Sequence, residues 1–182
     1  MDKLKRFAII LSVIENLHKY GGWSGETHIQ KTVYFLEKIF PEVIDYYPFI
    51  LYKYGPFSFE LRDDLGIMSA EKFIKITPRF PYGLRIFPGE ISEEIKKLFP
   101  KTLAKSDNKI QFIIKKLADK KVSDLEAAAT ALYVSVEVMA GAPKEKRVEK
   151  LCQLKPHISF EQADKVIDEV DKILQEKDLI NL

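Results

Sequence analysis

Apolar residues at Leu4, Phe7, Ala8, Leu11, Ile14 and Leu17 recur at helical spacing until Gly21-Gly22 stops the run. That predicts a first helix from about Lys3 to Lys19. After the Gly22-Trp23-Ser24-Gly25 turn, Ile29, Val33, Leu36 and Ile39/Phe40 repeat the pattern, and Pro41 ends it, which predicts a second amphipathic helix. From Tyr46 to Tyr54 the chain is rich in aromatic and β-branched residues, so a strand is expected there, with Pro48 confining it to an edge. Gly55-Pro56 should break that strand, and Ser58 should cap a third helix with Leu61, Leu65 and Met68 on one face.

The period changes between Lys72 and Pro88. Phe73, Ile74 and Ile76, then Leu84, Ile86 and Phe87, flank a Pro81-Tyr82-Gly83 turn, which predicts a β-hairpin. Three helices followed by a hairpin is the order of a winged helix-turn-helix. The remainder reads as helical. Ser123-Asp124-Leu125-Glu126 is a capping-box pattern opening an alanine-rich helix that runs to Met139, closed by Gly141 and Pro143. Val148, Leu151 and Leu154 mark a short helix ended by Pro156, and Ser159-Phe160-Glu161-Gln162 opens a last one. The expected fold is therefore α+β and mostly helical: a winged-helix-like N-terminal unit, residues 1–98, with a β-hairpin wing, packed on a C-terminal helical bundle, residues 99–182. Leu98-Phe99-Pro100 marks the boundary, across which one core can be shared.

Composition excludes more than it assigns. With 182 residues and 46% hydrophobic content there is material for a substantial core. The lone Cys152 excludes an internal disulfide and any Cys-based zinc cage, so a reducing cytoplasm is the expected compartment. Phe7 to Ile14 is too short to span a bilayer, so no membrane partner is expected. His18, His28 and His157 lack metal-ligand spacing, adjacent Asp63 and Asp64 point about 100° apart on a helix and read as a solvated face, and no phosphate-loop or dinucleotide motif occurs. The expectation is no metal, no cofactor and no catalytic residue.

Two motifs carry the most information: Thr27-His28-Ile29-Gln30-Lys31, and Tyr52-Lys53-Tyr54-Gly55-Pro56-Phe57-Ser58-Phe59-Glu60-Leu61. Together they resemble the T-x-x-Q-K helix and Y-G-P-[YF]-S-x-x-L turn of the YwgA-like uncharacterised prokaryotic family, and more distantly the Panacea (SocA-type) antitoxin domain. Leu125 to Tyr133 and Leu154-Lys155-Pro156 resemble the helical tail of those families; His28 and Ile29 depart from the usual pattern. The resemblance implies a non-enzymatic regulatory or antitoxin-like protein that binds a protein partner, with a shared surface around the corner formed by Gln30, Lys31, Tyr34, Tyr54, Gly55, Pro56, Phe57 and Ser58. Turn chemistry alone accounts for Gly55, Pro56 and Ser58, and leaves Lys31 and Tyr54 over.

Charge bears on the rival reading, a nucleic-acid-binding regulator. A net of +2 provides no long-range field for nucleic acid. The third helix, where a winged helix reads DNA, offers Glu60, Arg62, Asp63 and Asp64, which phosphate would repel. Within the near-neutral total, Lys96 to Lys121 carries nine lysines against two aspartates, and Glu161 to Asp178 seven carboxylates against three lysines. These are read first as two solvated faces complementary to each other, and second as a basic ridge. The rival would bind through Lys75, Arg79 and Arg85 on the wing and Lys109, Lys115 and Lys116 on the ridge.

Overall fold

The computed structural model describes residues 1–81 and 83–180. At its centre is α1 (Lys3–Lys19), in which every residue from Arg6 to Leu17 except Glu15 is buried. A helix apolar on nearly every side can only sit inside a fold, and α1 is packed by α2 (Glu26–Ile39), α4 (Ser92–Leu98) and α5 (Pro100–Leu117). Asp2 caps α1 by accepting from the Lys5 amide at 3.0 Å. Gly21, at φ +74°, turns the chain out of the helix in the left-handed region that glycine tolerates.

Between α2 and α3 (Phe59–Ala70) lies a hairpin of β1 (Ile50–Tyr52) and β2 (Gly55–Phe57), with Tyr52 opposite Gly55 and Ile50 opposite Phe57. This corrects the expectation that Gly55-Pro56 ends the strand, because those residues form its return partner. In a two-stranded sheet both strands are edges, so the missing N–H of Pro56 is tolerated. Ser58 caps α3 as expected, accepting from the Leu61 amide at 3.2 Å. The second hairpin, β3 (Ile74–Pro78) and β4 (Leu84–Pro88), pairs Ile76 with Ile86. Tyr82, in the expected turn, lies outside the described residues.

The Asp63-Asp64 pair is not a solvated face. Asp63 is exposed, but Asp64 is buried and accepts from Arg6 Nε and from the Tyr47 hydroxyl, each at 2.8 Å. Position 64 falls on the same stripe as Leu61, Leu65 and Met68, so the fold carries its carboxylate inward against α1.

After Pro100 at its first turn, α5 leads to α6 (Val122–Tyr133), α7 (Lys144–Leu154) and α8 (Phe160–Glu176). The capping box expected at Ser123 does not form: α6 starts at Val122, and the Ser123 hydroxyl contacts Asp124 instead, at 3.4 Å. Leu125 donates back to the Lys121 carbonyl at 3.0 Å, which starts the helix earlier and leaves Asp124 in its positively polarised first turn. α6 also ends at Tyr133 rather than Met139, passing into a π-helical turn, Val134–Val138. The box at Ser159 and Gln162 is complete. Phe7, Phe35, Ile114, Leu132 and Ile167 belong to one continuous core, so residues before and after Pro100 are packed together. Among the described residues no helix is long and apolar enough to cross a membrane.

Candidate functional site

The two sequence motifs meet, and each holds the other. From α2, the Gln30 side-chain amide pairs with the backbone of Ser58: its Nε2 donates to the Ser58 carbonyl at 2.8 Å and its Oε1 accepts from the Ser58 amide at 3.0 Å. One turn face further, Lys31 Nζ donates to the Pro56 carbonyl at 2.8 Å. The buried polar groups of the corner are thus satisfied by side chains where no third strand exists to do so. Gly55 adopts φ +91°, and a Cβ there would lie 2.9 Å from Thr130 Oγ1 on α6. Gly55→Ala should therefore destabilise the protein by about 2 kcal/mol through strain and close contact. Urea unfolding measures it, and a loss below about 0.5 kcal/mol would contradict this account of the corner.

Of the eight corner residues, Gln30, Lys31, Tyr34, Gly55, Pro56 and Ser58 are buried, and Phe57 is half-buried. Tyr54 is 53% exposed. Tyr34 points to a different neighbour, its hydroxyl donating to Glu137 Oε1 at 2.6 Å. Burial first, and then that carboxylate, push its phenol well above the usual tyrosine range. Access from solvent is therefore through Tyr54 and Phe57, while the others set the shape behind them.

What lies outward is aromatic. Ile50 and Tyr52 share one face of β1, and Phe57, opposite Ile50, extends it. Tyr52, Phe57 and Phe59 form a triangle with ring centroids 5.2–5.9 Å apart. Ile50, Tyr52 and Tyr54 are each about half exposed, and Arg62 and Lys53 sit over the Phe59 and Tyr54 rings at 5.0 and 5.1 Å.

Behind the corner is a charged cluster that sequence reasoning did not assemble. Lys155, at the C-terminal end of α7, is 5% exposed, and Lys31 is 2% exposed. Half-buried Glu126 on α6 exerts its field on both. Burial drives Lys31 down to about 8, with Lys155 adding repulsion and Glu126 and Glu26 opposing it. Burial likewise lowers Lys155 and raises the Glu126 carboxyl, the latter against the attraction of Lys155, Lys31 and His157. Lys155 carried a signal in the Leu154-Lys155-Pro156 motif, but nothing in its spacing ties it to Lys31.

The basic residues of the rival reading are mostly engaged. Lys109 pairs with Glu42 in the segment after α2, whereas Lys116 pairs with Glu176 and Lys120 with Glu169, so the C-terminal end of α5 and its extension are bridged to α8. This is the complementary pairing of the two charged segments. Lys115 sits over the Tyr20 ring at 5.6 Å. On the wing, Arg85 donates to His18 Nδ1 at 3.0 Å and stacks over Trp23 and Phe87, whereas Lys75 and Arg79 are exposed. No protein-family model matches the chain, and no curated protein matches it either.

Proposed function

We propose that the protein is a non-enzymatic interaction module of the regulatory or antitoxin-like kind, acting in the cytoplasm and binding a protein partner through the aromatic face of the first hairpin. The observation that carries this reading is the exposed cluster of Ile50, Tyr52 and Tyr54 continuous with Phe57 and Phe59. Aromatic anchors with an arginine at the margin are the composition of interface hot spots. The resemblance to the antitoxin domain supports the same reading. Tyr52→Ser/Tyr54→Ser removes the anchors at exposed positions, so folding should be unaffected. Immobilised wild-type protein should retain a partner from native lysate that the double variant loses by about tenfold or more, roughly 1.4 kcal/mol. Equal retention by both, or recovery of this chain alone, would overturn the reading.

The second reading, nucleic-acid binding, rests on the wing, where Lys75 and Arg79 are free of ion pairs among the described residues and neighbouring Phe80 is 99% exposed. Anisotropy titration with duplex DNA and RNA at two salt concentrations separates the two, since phosphate contacts by these side chains would make affinity fall steeply with salt. With Lys109 and Lys116 already paired, we favour the protein partner.

A further inference from the structure

We propose that the outer edge of β3 adds an extended strand from an acidic protein partner, a second docking surface separate from the aromatic face of the first hairpin. The register decides which backbone groups are free. Opposed residues of an antiparallel pair alternate between those that exchange hydrogen bonds and those whose N–H and C=O groups point outward. Ile86 is of the second kind: its amide donates to the Ser24 carbonyl at 3.0 Å, and its carbonyl accepts from the Ser24 hydroxyl at 2.6 Å. Its partner Ile76 therefore also directs its N–H and C=O away from the hairpin. Ile74, two residues earlier, does the same, and Pro78 directs its carbonyl outward. The ends keep this alternation, the Gly89 amide donating to the Phe73 carbonyl at 2.8 Å and the Arg79 amide to the Gly83 carbonyl at 2.7 Å. Ser24 thus closes the edge of β4, whereas the outward groups of Ile74 and Ile76 meet no partner among the described residues.

Shape and charge select the strand. An open groove of about 530 Å³ is lined by Ile74, Lys75 and Ile76 together with Ser69 at the end of α3, Pro88 and Glu90. The chain beside it is tightly packed, since a Cβ on Gly89 would lie 2.1 Å from the Lys72 carbonyl oxygen, so the groove exists before anything binds. Lys75 lies opposite Phe87 and Thr77 opposite Arg85, and Arg79 reaches over the Phe87 ring at 5.9 Å, which sets three cations on one face. No carboxylate occurs between Lys72 and Gly89. On the other face Ile76 and Leu84 are 37% and 59% exposed. A strand added to β3 therefore alternates acidic residues, opposite Lys75 and Thr77, with apolar ones opposite Ile74 and Ile76. A second copy paired antiparallel would put both sets of cations on one face, which like charge opposes, and an edge lysine guards against such pairing. Nucleic acid fits less well, because phosphate oxygens cannot pair with the outward carbonyls of Ile74, Ile76 and Pro78.

The test titrates the whole protein at neutral pH with a fluorescent peptide of about nine residues alternating glutamate and valine, and with its lysine–valine counterpart. The glutamate peptide should bind with a Kd of about 100 μM or tighter and the lysine peptide at least about tenfold more weakly. Amide hydrogen exchange by NMR should slow about tenfold at Ile74 and Ile76 when the glutamate peptide stands at roughly ten times its Kd. Lys75→Glu, at an exposed position, should reverse the preference between the two peptides. Ile76→Pro removes an outward N–H and leaves the ladder to β4 intact, so it should weaken binding about tenfold or more. No saturable binding up to about 1 mM would overturn the proposal, as would equal binding of both peptides or exchange at Ile74 and Ile76 that ignores the peptide. Protection of those amides that rises with protein concentration alone would assign the edge to a second copy, and binding of duplex DNA dependent on Lys75 without peptide binding would assign it to nucleic acid; either result overturns the proposal. Tyr52→Ser/Tyr54→Ser should leave peptide binding intact, so this proposal and the aromatic-face reading fail separately.

Discussion

Asp64→Ala should lower the free energy of unfolding by about 3–5 kcal/mol, because it leaves a buried guanidinium without its counterion. Arg6 is 5% exposed and Asp64 6%. The Asp64 Oδ2 atom accepts from Arg6 Nε and the Tyr47 hydroxyl, while the guanidinium lies 3.7 Å from the Tyr46 ring centroid. Burial alone would ease the proton off Arg6, yet the bond to Asp64 reverses that, and its proton affinity is raised. The network ties α1 to α3 and to the segment before β1, so its loss loosens the element that carries the aromatic face. The double variant Arg6→Met/Asp64→Leu should recover most of the loss, since a well-packed apolar pair avoids desolvating either charge. Urea denaturation of the wild type, Arg6→Met, Asp64→Leu and the double variant provides the cycle. A loss below about 1 kcal/mol for Asp64→Ala would mean that water reaches Arg6 and that the pair is not a buried one.

The same residue shows where sequence reading succeeds and where it stops. Helical period places α1 at Lys3–Lys19, and alternation on either side of Pro81-Tyr82-Gly83 gives the second hairpin, because both depend on local residue order. Position 64, three residues after Leu61, sits on the apolar stripe of α3, so a charge on that stripe was a visible sign of a buried partner; Arg6, inside the apolar run of α1, was the matching one. The pairing of the two, 58 residues apart, is set by how α3 docks and has no local signature. The first hairpin was hidden for a different reason: Pro56 reads as a breaker unless the sheet is known to have only edges. For the candidate site, the motifs identified the corner, but not that Gln30 and Lys31 face into it. Glu126 joins them only because α6 packs on α2, and Lys155 is carried at the end of α7, which packs on α6. The ion pairs between α5 and α8 are the intermediate case, since opposite charge runs were legible while the individual partners were not.

Lys31→Met should remove a rise in stability that the wild-type protein shows between about pH 8 and 10.5. The folded state releases the Lys31 proton at about 8, the unfolded chain at 10.5, so between those values the unfolded state holds more protons and stability increases with pH. The contribution is therefore present above 10.5 and lost as pH falls through 8, and amounts to roughly 3 kcal/mol across the window. Lys155, lowered by burial in the same way, adds with the same sign. Tyr34 and Tyr47 act oppositely: burial raises both phenols, so above the ordinary tyrosine value of 10.0 the unfolded chain ionises first and stability declines. Glu126 and Glu37, raised by burial, act only in the acid range. The wild-type curve should consequently peak near pH 10, at the crossing of the lysine and tyrosine effects. Methionine cannot donate to the Pro56 carbonyl, which costs about 1–3 kcal/mol at every pH. The variant's curve should therefore lie nearest the wild type at pH 7, where the wild type is penalised by its buried ammonium, and farthest near pH 10. Urea midpoints at pH 7, 8, 9 and 10 decide it: parallel curves would show that Lys31 keeps its proton in the folded protein and that its burial is offset by a counterion.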